Sequence, residues 1–144
     1  MNEKHITSKF TTIFNAYSPR VITSKSVAGW PDRMLQNNYE AIFVEIKSVI
    51  PNIDGSFYTG ARQEQGVWLA KWKKNGGKCF LFIGVLARSG LFDYYGIIAP
   101  DHWEDWLKVA QTKYTLDTMT YAFKTDDQVL FWFNFWVEKQ QVPK

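Results

Sequence analysis

The stretch Gly29–Val49, "GWPDRMLQNNYEAIFVEIKSV", contains an Asp directly after a Pro and then an apolar run that carries Glu45 and Lys47. Side chains alternate along a β-strand, so a strand over residues 41–47 has two distinct faces. The face that belongs in a core consists of Ile42, Val44 and Ile46. Glu45 and Lys47 then project together from the opposite face, either as a solvated ion pair or as part of an active site.

The composition of the chain is that of a folded globular protein. Of its 144 residues, 46% are hydrophobic and 17% are aromatic, so we expect one domain over residues 1–144. The net charge of +3 is compatible with a polyanionic partner. The single cysteine, Cys79, excludes an intramolecular disulfide framework and a zinc site built from cysteines. No signal-peptide core and no long apolar run are present, so we expect a cytoplasmic protein without a membrane partner.

The pattern of apolar residues predicts an α/β fold, a mixed sheet with helices packed on it. Helices are predicted in "NEKHITSKFTTIFNAY", from about Ala61 to Asn75, and in "DHWEDWLKVAQ". The run "KCFLFIGVL" is apolar throughout, as expected of a central strand, and it forms a hairpin with "LFDYYGIIA". A last strand is predicted in "QVLFWFNFWVE", with Trp132, Asn134 and Trp136 on one face. We expect this strand to contribute to the core and to a homodimer contact.

Three side chains suggest a phosphodiesterase site. The carboxylates of Asp32 and Glu45, if they converge, supply the oxygen ligands that Mg²⁺ or Mn²⁺ prefers. Lys47 beside them can orient or help deprotonate a water molecule and stabilise charge on a phosphate. In the following helix Gln65 occupies the apolar stripe that also contains Ala61, Trp68, Leu69 and Trp72, so we expect its amide to face the sheet near Glu45 and Lys47.

Pro31–Asp32 followed by Glu45–Lys47 resembles the signature of the PD-(D/E)xK nuclease superfamily. The segment "RQEQGVWLAKWKKNGGKCFLFIGV" looks like the Gln-bearing helix, terminal glycine and next strand of its VRR-NUC and Holliday-junction-resolvase-like branch. The resemblance covers Gly29–Val85, under half of the chain. It implies a restriction-endonuclease-like core, and such enzymes are typical of bacteria and phages. It also implies an endonuclease that acts on DNA, with branched or junction DNA as the expected substrate.

The resemblance assigns a role to each residue of the motif. Asp32, Glu45 and the backbone carbonyl of Ile46 would hold Mg²⁺ or Mn²⁺, with no organic cofactor. Lys47 would position or activate the water, and Gln65 would assist at the edge of the site.

Enzymes of this branch often carry a further acidic ligand on the first helix. The matching residue here is Glu3, and the helix dipole alone also explains an acid at that position. Resolvase-like relatives act as symmetric dimers, so the resemblance also implies a homodimer.

Basic residues near the motif predict where DNA would bind. Phosphate contacts of this kind give salt-dependent and largely sequence-independent affinity. The candidate nucleic-acid-binding residues are Arg33, Arg62, Lys71, Lys73, Lys74 and Lys78.

Three alternatives stay open from the sequence. The first is a site-specific endonuclease of restriction or homing type. The second is a catalytically silent nucleic-acid-binding module on the same fold. The third is an interaction protein that uses its aromatic C-terminal run.

Overall fold

A mixed β-sheet forms the centre of the protein. The computed structural model describes residues 3–22, 29–38 and 40–139, without the side chain of residue 139. Within these ranges one sheet has its strands in chain order: β1 (Arg20–Val21), β2 (Arg33–Asn37), β3 (Glu40–Val49), β4 (Lys78–Leu86), β5 (Phe92–Ile98) and β6 (Tyr121–Phe123). The strands β3 and β4 are parallel, and the other neighbouring pairs in the described chain are antiparallel.

Helices cover both faces of this sheet. They are α1 (Glu3–Ile13), α2 (Gln63–Lys74), α3 (Trp103–Trp106) and α4 (Asp126–Lys139), and a short 3-10 helix spans Asn15–Tyr17. The α1 face of the sheet, which packs against α1 and α4, includes Ile42, Val44 and Ile46 of β3. The α2 face packs against α2 and α3. The predicted mixed sheet flanked by helices is therefore confirmed, and no helix in the described ranges has the length and apolarity needed to span a membrane.

The parallel pair of strands determines where α2 lies. A chain that leaves β3 and enters the parallel strand β4 must cross over one face of the sheet, and α2 is that crossover. Every residue of β4 is buried, which confirms the predicted central strand, and its antiparallel pairing with β5 confirms the hairpin. The predicted helix from Ala61 to Asn75 is also confirmed, with its ends at Gln63 and Lys74.

The prediction of a last strand in "QVLFWFNFWVE" is wrong, because this segment is the helix α4. Its buried residues follow helical spacing, namely Val129, Trp132, Phe133, Trp136 and Val137. Phe131 and Phe135 project into solvent instead. Trp132, Asn134 and Trp136 therefore do not share a strand face, since Asn134 is exposed between the two buried tryptophans.

Two smaller differences concern short elements. The predicted helix in "DHWEDWLKVAQ" is helical only over Trp103–Trp106, and the residues after it form turns. Strand β2 was not predicted, because "RMLQN" contains few β-branched or aromatic residues. It pairs with β3, and Asn38, directly after β2, has a φ of 54°.

Candidate active site

The two carboxylates of the motif converge at the end of the β2–β3 ladder. The last pair of that ladder is Arg33 with Val44, so the same antiparallel register places Asp32 opposite Glu45. Residues opposite each other in antiparallel strands share a face, with Cβ atoms about 4.5–5.5 Å apart. The backbone N–H of Asp32 donates to Oε1 of Glu45 over 3.0 Å. Both side chains therefore begin on the α2 face, next to each other.

Glu45 lies at the centre of this site. Its side chain is 1% exposed. Its Oε2 atom accepts a hydrogen bond from Nε2 of Gln65 over 2.6 Å and lies 3.4 Å from Nζ of Lys47. Burial, followed by the nearby charge of Asp32, raises the pKa of Glu45 to about 7, although Lys47 acts in the opposite direction. Two carboxyl groups thus meet in a poorly solvated place where a cation would relieve their repulsion.

The beginning of α2 holds Gln65 in one orientation. The side-chain Oε1 of Gln65 accepts the backbone N–H of Arg62, the residue before the helix, over 2.9 Å. The side chain thereby satisfies one of the free N–H groups that every helix start leaves. Because its oxygen is used in this way, its amide nitrogen is directed at Glu45. Gln65 is 5% exposed, so the predicted position of its amide against the sheet matches the structure. Gln63, two residues earlier, is exposed.

Gly29, in the loop that carries Asp32, packs closely against the first turn of α2. Its φ is 91°, a conformation that glycine adopts without strain. A Cβ atom at this position would lie 2.0 Å from the backbone oxygen of Glu64. No side chain fits there, and this close approach brings the chain segment before Asp32 alongside the helix that carries Gln65.

The donor set fits a hard divalent cation. It consists of the Asp32 and Glu45 carboxyl groups, with the backbone carbonyl of Ile46 on the adjoining residue of β3. In the described ranges no group of three or more His, Cys, Asp and Glu residues is placed to bind a metal. One or two carboxylates with several retained waters are a usual environment for Mg²⁺. The position of Asp32 opposite Glu45, with its N–H 3.0 Å from Oε1 of Glu45, is the observation that favours a cation here.

Glu3 does not join this donor set. The helix α1, which begins at Glu3, packs on the α1 face against Ile42 and Phe82, whereas Glu45 lies on the α2 face. The sheet separates the two faces, and Glu3 itself is exposed. The prediction of Glu3 as a metal ligand is therefore wrong.

Two of the predicted DNA-binding residues are engaged elsewhere. Lys78 is 5% exposed, and its Nζ lies 2.6 Å from both carboxylate oxygens of Glu40. The prediction for Lys78 is therefore wrong, since a buried and paired lysine is not available to a phosphate. Arg33 pairs with Val44 and so begins on the α1 face, where its guanidinium donates to the carbonyl of Asp32 over 3.0 Å.

The remaining basic residues lie along α2. Arg62 precedes its first turn and is exposed, as is Lys71. At a rise of 1.5 Å per residue, Lys71 is about 9 Å along the helix from Gln65 and Lys74 about 14 Å. Lys74 extends towards α3, with Nζ 4.6 Å from the ring centre of Trp103, and Lys73 lines a cavity that also contains Asp101.

An aromatic cluster next to the site was not predicted from the sequence. The centre of the Trp68 ring lies 5.8 Å from that of Trp30 and 5.0 Å from that of Phe43. The ring of Trp72 stacks on Trp68 at 5.7 Å and meets Phe43 at 4.7 Å. We call these four residues the aromatic wall. Strand alternation already placed Phe43 on the face of Glu45, but nothing in the sequence indicated that Trp30 would join it.

The chain was compared with family models, curated proteins and solved structures. No family model matches the chain, and no curated protein matches it. Among solved structures, it is similar to Hjc of Archaeoglobus fulgidus, a Holliday junction resolvase from an archaeal hyperthermophile. The two chains are 13% identical, with a TM-score of 0.48 over 90% of this chain and 92% of the other.

Proposed function

We propose that the chain is a metal-dependent endonuclease, one domain over residues 1–144 that hydrolyses phosphodiester bonds in DNA in the cytoplasm. The observation that carries this proposal is the convergence of Asp32, Glu45 and Lys47 on the α2 face. A solvated Glu–Lys pair would leave the glutamate in water, whereas Glu45 is 1% exposed. A buried carboxylate is costly unless a positive group compensates its charge. The site contains Lys47 and the residues that would hold a divalent cation.

Each side chain has a part in the proposed reaction. Asp32, Glu45 and the Ile46 carbonyl would hold Mg²⁺ or Mn²⁺, which stabilises charge on the phosphate and makes a bound water more acidic. Lys47 directs its ammonium into the same space, where it orients the attacking water and stabilises negative charge on the phosphate. Gln65 keeps the carboxylate of Glu45 in one rotamer through its hydrogen bond.

The finer expectations belong to the same proposal. Branched or junction DNA is the substrate that the resemblance implies, with Arg62 and Lys71 as the first candidates for phosphate contacts beside α2. Lys73, Lys74 and Arg33 lie further from Glu45 or on another face, and their contacts would be secondary.

A homodimer contact is proposed on α4, where Phe131 is 78% and Phe135 61% exposed. Exposed aromatic residues on one helix are typical of an interaction surface. Replacing both with serine is expected to shift a dimer to monomer in analytical ultracentrifugation. A wild-type protein that sediments as a monomer at all concentrations would contradict this contact.

The test of the nuclease is cleavage of labelled four-way junction, flap, linear duplex and single-stranded DNA in Mg²⁺ or Mn²⁺. We expect wild-type protein to cut at least one of these substrates, EDTA to abolish cutting, and Lys47→Ala to lower the rate by about 10²-fold or more. Lys124→Ala is the matched control, because it also removes one lysine paired with an acid, Asp93, at a distant exposed position. DNA affinity in EDTA should be similar for wild type and both variants. DNA binding without any cleavage would instead support a silent binding module, and absence of binding would leave an interaction protein.

A further inference from the structure

The aromatic wall is unusual because its rings are only half-buried. All four members keep part of their surface exposed, whereas Trp106, packed on the same side of the sheet, is 0% exposed. Trp106 shows that this face of the sheet can bury a tryptophan completely. The half-buried rings of Trp30 and Trp68 therefore leave apolar surface available at the rim of the site.

The residues of the wall are close in sequence to the residues of the candidate active site. Trp30 is two residues before Asp32, and Phe43 is two residues before Glu45. Trp68 follows Gln65 by three residues, which puts both on neighbouring positions of the helix surface. Each aromatic ring is thus supported by an element that also carries a residue of the candidate active site. A molecule held by Asp32 and Glu45 would extend directly onto these rings.

Two exposed basic residues, Arg20 and Lys71, lie close to the wall. Arg20 pairs with Met34, which pairs with Phe43, so Arg20 lies on the α2 face at the edge of the sheet and is exposed. Lys71 follows Trp68 by three residues and lies beside it on α2. Lys47 is on the other side of Phe43 along β3. The exposed acid Glu64 precedes Trp68 by four residues, and the charge of Lys47 is paired with Glu45. Arg20 and Lys71 are therefore the exposed cations that the wall offers to flanking phosphates.

We propose that the aromatic wall binds an unpaired nucleobase of the strand whose phosphate lies at Glu45 and Lys47. This proposal rests on the proposed function for the position of the phosphate. Every base has a flat π-face that stacks on tryptophan without sequence preference, and Arg20 and Lys71 are placed to contact the flanking phosphates. In a fully paired duplex the bases are already stacked on each other and cannot occupy the wall. The preferred substrate class is therefore DNA with an unpaired or unstacked base next to the scissile bond.

The test measures binding in EDTA, where no cleavage occurs. The probes are a short DNA duplex with one unpaired 2-aminopurine, the same duplex with that base paired, and the corresponding single strand. Stacking on a tryptophan quenches 2-aminopurine fluorescence. We expect quenching with the unpaired base and an affinity about 5- to 150-fold higher than for the paired duplex, the range that stacking of one base gives.

Variants of the wall identify the residues responsible. Trp30→Leu and Trp68→Leu are each expected to lose the preference and the quenching while retaining the affinity for the paired duplex. Trp103→Leu is the matched control, because Trp103 is also half-buried on the α2 side but lies against Lys74, and within the described residues its ring makes no contact with the rings of the wall. Trp68→Phe keeps an aromatic ring and should keep part of the preference, which guards against a Leu variant that fails to fold.

The outcomes separate this proposal from the nuclease proposal. Equal affinity for paired and unpaired probes, or a preference that survives both Leu variants, would overturn the base site even if the wild type cuts DNA in Mg²⁺. Quenching and preference in EDTA, without cleavage of any substrate in Mg²⁺ or Mn²⁺, would support the base site and overturn the nuclease. Absence of binding to every probe would overturn the base site, and together with absence of cleavage in Mg²⁺ or Mn²⁺ it would overturn both.

Discussion

Replacing Asp32 with asparagine should stabilise the protein without metal and destabilise it, relative to the wild type, with metal. In the wild type Asp32 is, after burial, the largest cause of the raised pKa of Glu45. Asparagine is nearly the same size and removes the charge. The pKa of Glu45 should therefore fall back towards its ordinary range, although burial continues to raise it.

The magnitude follows from the pKa of Glu45. A rise from 4.5 to about 7, at about 1.4 kcal/mol per pKa unit, corresponds to roughly 3 kcal/mol between the two protonation states. Burial is the larger cause and Asp32 the next, so we expect Asp32 to contribute a part of this, on the order of 1 kcal/mol. We expect Asp32→Asn to increase the free energy of unfolding by about 1 kcal/mol at pH 8 in EDTA.

The direction of the pH dependence follows from proton binding. The folded wild type holds a proton on Glu45 more tightly than the unfolded chain does, because its pKa is raised. The stability that Glu45 contributes is therefore fully present below about pH 4.5 and is lost as the pH rises through about 7. Asp32→Asn should reduce this loss, so the two proteins differ little at pH 4 and most at pH 8.

Metal should reverse the order of stability. A cation held by both carboxylates stabilises the folded wild type by RT ln(1 + [L]/Kd), about 2.7 kcal/mol at a metal concentration of 100 Kd. Asp32→Asn lacks one ligand and should gain little. The assay is urea denaturation at pH 4, 6 and 8 in EDTA and in Mg²⁺, with Asp93→Asn as a control at an exposed aspartate paired with Lys124. A variant less stable than the wild type at pH 8 in EDTA, or stabilised equally by Mg²⁺, would refute the reasoning.

Two further predictions concern the groups that position Glu45. A non-glycine residue at positive φ ordinarily costs about 1 kcal/mol. Gly29→Ala should destabilise the protein by more than this and abolish cleavage, because the added Cβ would also lie 2.0 Å from the backbone oxygen of Glu64. Gly90→Ala, at a φ of 86° with no atom within 4 Å of its Cβ, should show only that backbone cost in the same thermal melts, and equal losses for the two variants would contradict the close approach. Gln65→Ala should lower the free energy of unfolding at pH 8 by about 1–3 kcal/mol, because a buried carboxylate loses a donor, and should reduce kcat more than it changes DNA affinity. Unchanged urea denaturation of Gln65→Ala would show that another donor replaces the amide.

Features set by neighbouring residues were predictable from the sequence. The alternation of β3 placed Glu45 and Lys47 on one face and three aliphatic residues on the other, and the structure agrees. The apolar stripe of α2 likewise indicated that Gln65 faces the sheet. Each of these predictions depends only on the periodicity of side chains within a single element, which is 2 residues for the strand and 3.6 for the helix.

The error in α4 arose because aromatic residues favour strands only weakly and according to context. The residues just before these aromatic residues contain a sequence signal for the start of a helix. The Thr125 hydroxyl accepts the backbone N–H of Gln128, and the Gln128 side chain accepts the backbone N–H of Thr125. This reciprocal pair is a capping box, and two aspartates follow Thr125 where the helix dipole favours acids. Helical spacing of Val129, Trp132 and Trp136 agrees with it.

Contacts between distant segments were not predictable in this way. Lys78 was expected on a basic surface, but its partner Glu40 is 38 residues away in sequence, and only the pairing of β3 with β4 brings them together. The approach of Gly29 to Glu64 and the meeting of Trp30 with Trp68 are of the same kind. Each depends on how the loop before β2 packs on α2, which no local period encodes.

The cost of burying Glu45 is itself an argument about function. A glutamate at this position is opposed by low solvation and by the charge of Asp32, and both raise its pKa. An isosteric apolar residue would remove this cost, because replacing a buried charge by a well-packed apolar side chain is often neutral or stabilising. The fold instead surrounds Glu45 with the Asp32 N–H, the Gln65 amide and the Lys47 ammonium. Such donors hold the carboxylate of Glu45 in one geometry, and the divalent cation that we propose would make this geometry favourable at neutral pH.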